Sequence, residues 1–78
     1  MATVLFFGPA RDAAGARTAV LSGDSVGALM AVAVARYGDT FSSLLPTCRI
    51  WVNGEPADED AKVADGDEVA VLPPVSGG

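Results

Sequence analysis

The segment with the clearest potential for chemistry is PPVSGG, at the end of the chain. Its prolines cannot donate sheet hydrogen bonds, so they are expected to end strand pairing and to favour a stiff, extended conformation. Its other residues are small or lack a side chain, so the segment could enter a narrow channel in another protein. We therefore predict an extended tail, inserted into a partner, that consists of Pro73, Pro74, Val75, Ser76, Gly77 and Gly78.

The reactive group of this tail would be the carboxylate of Gly78. A carboxylate is a poor acylating agent because its leaving group would be oxide, so it must first be activated. Attack of the carboxylate on the α-phosphorus of a nucleotide would give an acyl-adenylate. The alternative is an ordinary frayed end that happens to finish in glycines. Two glycines alone are weak evidence, but their position behind two prolines and a strand favours the chemical role.

The rest of the sequence predicts no cofactor or metal bound by this chain. It has no histidine and a single cysteine, Cys48, whereas zinc sites and iron–sulfur clusters need several such ligands. There is no Gly-rich phosphate loop, so ATP would be bound by the activating enzyme. Cys48 is predicted to be a small buried hydrophobe rather than a reactive thiol. The acidic stretch at 58–61 is predicted to form a solvated turn.

Size and charge restrict the classes of partner. The chain has 78 residues, which predicts one domain over 1–78. Its net charge of −5 argues against a nucleic-acid partner, because binding a phosphate backbone needs clustered Lys and Arg. No stretch approaches the roughly 20 apolar residues of a membrane span. A lone cysteine fits a reducing compartment. We expect a soluble cytoplasmic protein.

Apolar spacing and turn signals predict one main helix and several strands. Residues Val26–Tyr37 have helical spacing, with Ser25 as the N-cap and Gly38 as the stop. About one helical turn is predicted before Gly15, and a loop through Pro46. Five strands are predicted. Three lie at Thr3–Phe7, Arg17–Ser22 and Glu68–Leu72, and the other two flank the hairpin signal at Asn53–Gly54, a longer one before it and a short one after it.

This order of elements predicts an α+β fold of the β-grasp, or ubiquitin-like, type, with a mixed sheet and one main helix across one face. The helix lies between two pairs of strands, so it must cross the sheet. Such crossovers are right-handed in nearly all proteins, and this one would bring the first and last strands together in the middle of the sheet. The tail, residues 73–78, would then leave directly from a central strand.

The face of the sheet away from the main helix is predicted to bind a partner. Side chains alternate along a strand, and one helix covers only one face. The residues predicted to face the helix are Val4, Phe6, Ile50, Val52, Val69 and Val71. The opposite face would carry Leu5, Phe7, Trp51, Ala70 and Leu72. An open sheet face is usually polar, so an apolar one favours a partner surface over scattered exposed residues.

The two ends of the chain resemble a known family. VLFFGPARDAAG near the start and KVADGDEVAVLPPVSGG at the end are similar to the small subunit of molybdopterin synthase, a MoaD-type sulfur carrier related to ThiS. The resemblance covers nearly the whole chain and is most specific at the C-terminal motif. Residues 38–48 match in length and pattern more than in identity.

The resemblance implies a role in molybdenum cofactor biosynthesis. Gly78 would be adenylated by a MoeB-like enzyme related to ubiquitin-activating enzymes and converted to a thiocarboxylate. The tail would then insert into a MoaE-like large subunit and donate sulfur to a cyclic pterin precursor. The groups acting on the pterin would belong to the large subunit, so this chain would not be an enzyme on its own. The implied complex is a heterotetramer.

Three alternatives remain at this stage. A ThiS-like carrier for thiamin synthesis, or a carrier for cysteine synthesis, would share the fold and the Gly-Gly end. A ubiquitin-like modifier would be joined to lysines through Gly78. A β-grasp binding module without tail chemistry is the third alternative, since a fold alone decides no function.

Overall fold

The computed structural model describes residues 1–74. Within this range the strands are β1 (Ala2–Phe6), β2 (Thr18–Leu21), β3 (Arg49–Val52), β4 (Glu55–Ala57) and β5 (Glu68–Leu72). The helices are α1 (Gly8–Ala14), α2 (Val26–Tyr37) and α3 (Asp39–Leu44), and a short 3-10 helix follows at Leu45–Thr47. Of the predicted tail, Pro73 and Pro74 follow β5 outside any strand, while Val75, Ser76, Gly77 and Gly78 lie outside the described residues.

The strands form one mixed sheet in the order β2-β1-β5-β3-β4. The two central strands, β1 and β5, are parallel, and the other neighbouring pairs are antiparallel. This topology confirms the β-grasp prediction, including the placement of the first and last strands side by side.

The main helix begins and ends where the sequence predicts. Ser25 caps it, because its hydroxyl oxygen accepts a hydrogen bond from the Ala28 amide at 3.1 Å. The amides of Val26 and Gly27 donate to carbonyls in the connection between β4 and β5, at 3.0 and 2.9 Å. The first amides of a helix have no partner within the helix, so this polar connection and the cap together hold the start of α2.

The predicted loop through Pro46 is wrong, since α3 and the 3-10 helix occupy that segment. The reason is tertiary packing. Phe41 in α3 is buried and stacks edge-on against Phe6, with ring centroids 5.7 Å apart. Tyr37 stacks against Phe6 in the same way, at 5.5 Å. The helical turn predicted before Gly15 is also longer than expected, because α1 starts at Gly8.

The core lies between the sheet and the helices. Val4, Phe6, Val69 and Val71 are buried, as predicted for the face towards the helix. Ile50 and Val52 pack against this core but keep part of their surface exposed. Among residues 1–74, no helix combines the length and apolar character that crossing a membrane requires.

Candidate functional site: the open sheet face and the base of the tail

The open face of the sheet gathers the apolar residues predicted to bind a partner. Ala70 in β5 lies opposite Leu5 in β1 on one side and opposite Trp51 in β3 on the other. Residues directly opposite one another point to the same face of a sheet. The three side chains therefore form a continuous row across the central strands.

Every residue predicted for this face keeps part of its surface exposed. Leu5, Trp51, Ala70 and Leu72 are half-buried, and 43% of Phe7 is exposed. In β1 and β5 burial therefore alternates as predicted. In β3, Ile50, Trp51 and Val52 are all half-buried, so Trp51 is assigned to this face by its position opposite Ala70. The role of this face in binding a partner remains a prediction.

Two further residues, Val20 and Arg49, belong to this face. Val20, which is 57% exposed, lies opposite Thr3, so it extends the apolar surface onto β2. Arg49 lies opposite Leu72 and places a cation at the end of the face from which the tail leaves. Alternation within β2 and β3 was visible in the sequence, but which residues they oppose depends on the strand register.

The base of the tail lies at the end of the central parallel pair. The Phe7 amide donates to the Val71 carbonyl at 3.1 Å, so the ladder between β1 and β5 continues one residue past β1. In a parallel ladder the next bond would run from the amide of residue 73 to the Phe7 carbonyl. Pro73 has no N–H, so pairing ends there, as predicted from the two prolines. Leu72 is thus the last open-face residue, and the tail starts immediately after it.

The cysteine and the acidic turn noted in the sequence make local hydrogen bonds. Burial raises the pKa of the Cys48 thiol, against a smaller lowering by a hydrogen bond from Thr47. The thiol also donates to the Leu44 carbonyl at 3.6 Å. Cys48 packs against the core, but it is only partly buried, so the predicted full burial is not observed. The Asp60 amide donates to the Asp58 carboxylate at 3.1 Å, as expected of a solvated turn. Within residues 1–74, His, Cys, Asp and Glu nowhere form a group of three that could hold a metal.

A groove of about 1030 Å³ lies between α2 and the β3–β4 edge of the sheet. Its lining is largely apolar and includes Met30, Val34, Leu45, Ile50 and Ala57. It arises where the helices leave β3 incompletely covered, which also explains the partial burial of Ile50. No pattern in the sequence predicted this groove.

These features define a β-grasp protein whose open apolar face adjoins the base of a C-terminal tail. The chain belongs to the ThiS family, whose model matches residues 4–78. It is 37% identical to the molybdopterin synthase sulfur carrier subunit of Chlamydomonas reinhardtii, over 96% of this chain and 95% of that protein. The predicted membership of the sulfur carrier family, with its link to ThiS, is thereby confirmed.

Solved structures show the same fold. The small archaeal modifier protein 1 (SAMP1) of Methanosarcina acetivorans superposes with a TM-score of 0.88 at 25% identity, over 99% of this chain and 95% of that one. Subunit 1 or 2 of the Helicobacter pylori molybdopterin-converting factor, solved as a complex of both subunits, superposes with a TM-score of 0.72 at 27% identity. That match covers 99% of this chain and 97% of the other.

Proposed function

We propose that this chain is the sulfur carrier subunit of a molybdopterin synthase. The observation that carries the proposal is the continuity between the open face and the tail, since Leu72 belongs to the face and Pro73 begins the tail. A partner that binds the face would therefore hold the base of the tail at a fixed place. The relationship to a sulfur carrier subunit over nearly the whole chain supports the same conclusion.

The chemistry begins at the Gly78 carboxylate. A carboxylate oxygen attacks the α-phosphorus of ATP on a MoeB-like activating enzyme, and pyrophosphate leaves. A sulfur nucleophile at the oxidation level of hydrosulfide then attacks the carbonyl carbon of the adenylate, and AMP leaves. The product is a thiocarboxylate, which is a better nucleophile than a carboxylate at neutral pH. This chain binds neither ATP nor another cofactor in this scheme.

The thiocarboxylate is used inside the large subunit. Leu5, Phe7, Trp51 and Leu72 dock on that MoaE-like partner, and residues 73–78 enter its active site to deliver sulfur to a cyclic pterin precursor. Enclosure protects the thiocarboxylate from water, and positive charge from the partner stabilises the anion. The Helicobacter pylori complex of subunits 1 and 2 of molybdopterin-converting factor supports a partner of this kind.

Intact-mass analysis tests the first half of this scheme. The purified chain is incubated with the activating enzyme, ATP and a sulfur source, and we expect a mass increase equal to sulfur minus oxygen. A chain extended by two alanines beyond Gly78 and a chain lacking Gly78 serve as matched controls, and neither should gain sulfur efficiently. Equal loading of the extended chain would contradict the role of the Gly78 carboxylate.

Reconstitution with the large subunit tests the second half and separates the pathways. The loaded chain should convert the cyclic pterin precursor to the dithiolene product. Loading without conversion would instead indicate a carrier for thiamin or cysteine synthesis.

A protein-modifier role is the second candidate, favoured by the similarity to small archaeal modifier protein 1. It would join the activated Gly78 carbonyl to lysine amines by an isopeptide bond. Conjugates that resist thiol reductants and disappear in the extended chain would support it. Their absence in cells that make the sulfur-loaded chain would exclude it under those conditions.

A further inference from the structure

We propose that Gly8 is a positioning residue for the tail: its lack of a side chain lets the Pro73 ring lie against the end of β1, and this contact sets the direction in which the tail leaves the sheet. The inference rests on the proposed function, because only a tail that must be delivered to a reaction site needs a defined direction.

The contact follows from the sheet topology. β1 and β5 are parallel, and Phe6 lies opposite Val71. The carboxyl ends of parallel neighbours lie at the same edge of a sheet, so the residues two positions further along each strand, Gly8 and Pro73, also meet. A contact between the eighth residue and the tail is therefore built into the central pair.

The space at Gly8 is matched to the proline ring. A Cβ at this position would lie 3.3 Å from Cγ and 3.5 Å from Cβ of Pro73, and its three nearest heavy atoms would all belong to that ring. Carbon atoms pack best at about 3.5–4.0 Å, so the added atom would push on the ring. Gly8 also has φ +55°, a left-handed conformation that turns the chain out of β1 and into α1.

The push would be transmitted to the tail rather than absorbed. A proline ring is closed onto its own backbone nitrogen, so it cannot swing away as a flexible side chain would. On its N-terminal side the backbone is held, because Leu72 lies in β5 and pairs with β3. On its C-terminal side Pro74 has a restricted φ as well. A shift at Pro73 therefore changes the direction of the segment that follows.

The test compares Gly8→Ala with Gly15→Ala. Gly15 has a similar left-handed φ of +68°, but a Cβ there would meet no atom within 4 Å. Both variants bear the strain of a left-handed conformation, and only Gly8→Ala presses on Pro73. Misplacing a reacting group by about 1 Å can cost about 100-fold in rate. For a shift of a few tenths of an ångström we therefore expect the kcat of sulfur transfer from the loaded Gly8→Ala carrier to fall about three- to tenfold. The KM for the carrier should stay within about twofold of the wild-type value. Gly15→Ala should leave both constants unchanged.

A double-mutant cycle checks that the effect runs through the ring. Pro73→Ala removes Cγ and Cδ, including the ring atom nearest to the added β-carbon, so adding Gly8→Ala to it should cause little further loss. The N–H that it restores at residue 73 is present in both variants that lack the proline, so its effect cancels in the comparison. If Gly8→Ala does not fold, Gly8→Asn replaces it and Gly15→Asn replaces the control. Asparagine adds the same β-carbon as alanine and tolerates the left-handed region better. The matched losses in kcat are then read from the asparagine pair.

Two results would overturn the inference: an equal kcat for the Gly8 and Gly15 variants, or the same loss from Gly8→Ala with and without Pro73. A wild-type chain that never becomes thiocarboxylated would contradict the proposed function instead. The two failures are therefore distinguishable in the same set of measurements.

Discussion

Val4 lies opposite Val69 in the middle of the sheet, and neither side chain exposes any of its surface. The pair joins the first strand to the last, so the strand that precedes the tail is fixed by the centre of the core. The same two strands present Leu5 and Ala70 on the opposite face. Core packing on one side of β5 thus holds the docking face and the tail base on the other.

The first prediction concerns this central pair. Val69→Ala should lower the free energy of unfolding by about 2–3 kcal/mol, because it removes two buried methyl groups and leaves a cavity that the sheet cannot close. Val20→Ala removes the same atoms from a side chain that is 57% exposed, and it should change stability by less than about 0.5 kcal/mol. Urea unfolding of both variants gives the comparison. Equal losses would show that β5 is not held by the core in this way.

The second prediction concerns the start of α2. Ser25→Ala removes the hydroxyl that accepts from the Ala28 amide, and we expect a loss of about 1 kcal/mol in the free energy of unfolding. Ser22→Ala, at an exposed position before the helix, is the matched control and should have little effect. Thermal unfolding monitored by circular dichroism measures both. A loss as large at Ser22 would assign the effect to the loop rather than to the cap.

Much of the fold could be predicted because its signals are local. The bounds of α2, Val26–Tyr37, follow from helical spacing, a capping serine and a terminating glycine. The two faces of β1 and β5 follow from alternation alone. The parallel placement of these strands follows from the handedness of the crossover.

The missed features depend on distant contacts. Helix α3 is held by the stacking of Phe41 on Phe6, which are 35 residues apart in the sequence, and its own residues carry no strong helical period. Val20 joins the open face because it lies opposite Thr3, and no pattern within β2 specifies that register. The contact between Gly8 and Pro73 likewise appears only when the two strands are aligned.

The third prediction concerns acid stability. Hydrogen bonds from the Ala64 amide, and to a lesser extent from the Asn53 side chain, lower the pKa of Asp67 below its ordinary value of 3.8. A carboxyl group with a lower pKa in the folded state stabilises the fold above its unfolded pKa, and this stabilisation is lost as the pH falls through the folded pKa. The stability advantage of the wild type over Asp67→Asn should therefore be complete well above pH 3.8 and shrink below it.

Urea unfolding between pH 6 and acidic pH, at constant ionic strength, measures this advantage. Asp12→Asn, at an exposed position of α1, controls for the removal of one negative charge. An advantage of the wild type over Asp67→Asn that does not change on acidification would contradict the assignment.

The fourth prediction concerns the docking face. Trp51→Asp places a charge beside Ala70, in the middle of the apolar row, where a partner would have to desolvate it. We expect its affinity for the large subunit to fall at least about 100-fold, a cost of about 2.7 kcal/mol. Phe7→Asp, next to the tail base, should act in the same direction.

Ala35→Asp is the matched control, because it adds the same charge at an exposed position of α2, across the sheet from the docking face. Calorimetric titration with the large subunit gives the affinities, and thermal unfolding gives the stabilities. The open-face variants should lose affinity while their melting temperatures stay close to that of the control. If Ala35→Asp weakened binding as strongly as Trp51→Asp, the partner would have to cover the helical side, and the delivery of the tail from the end of β5 would need a different docking geometry.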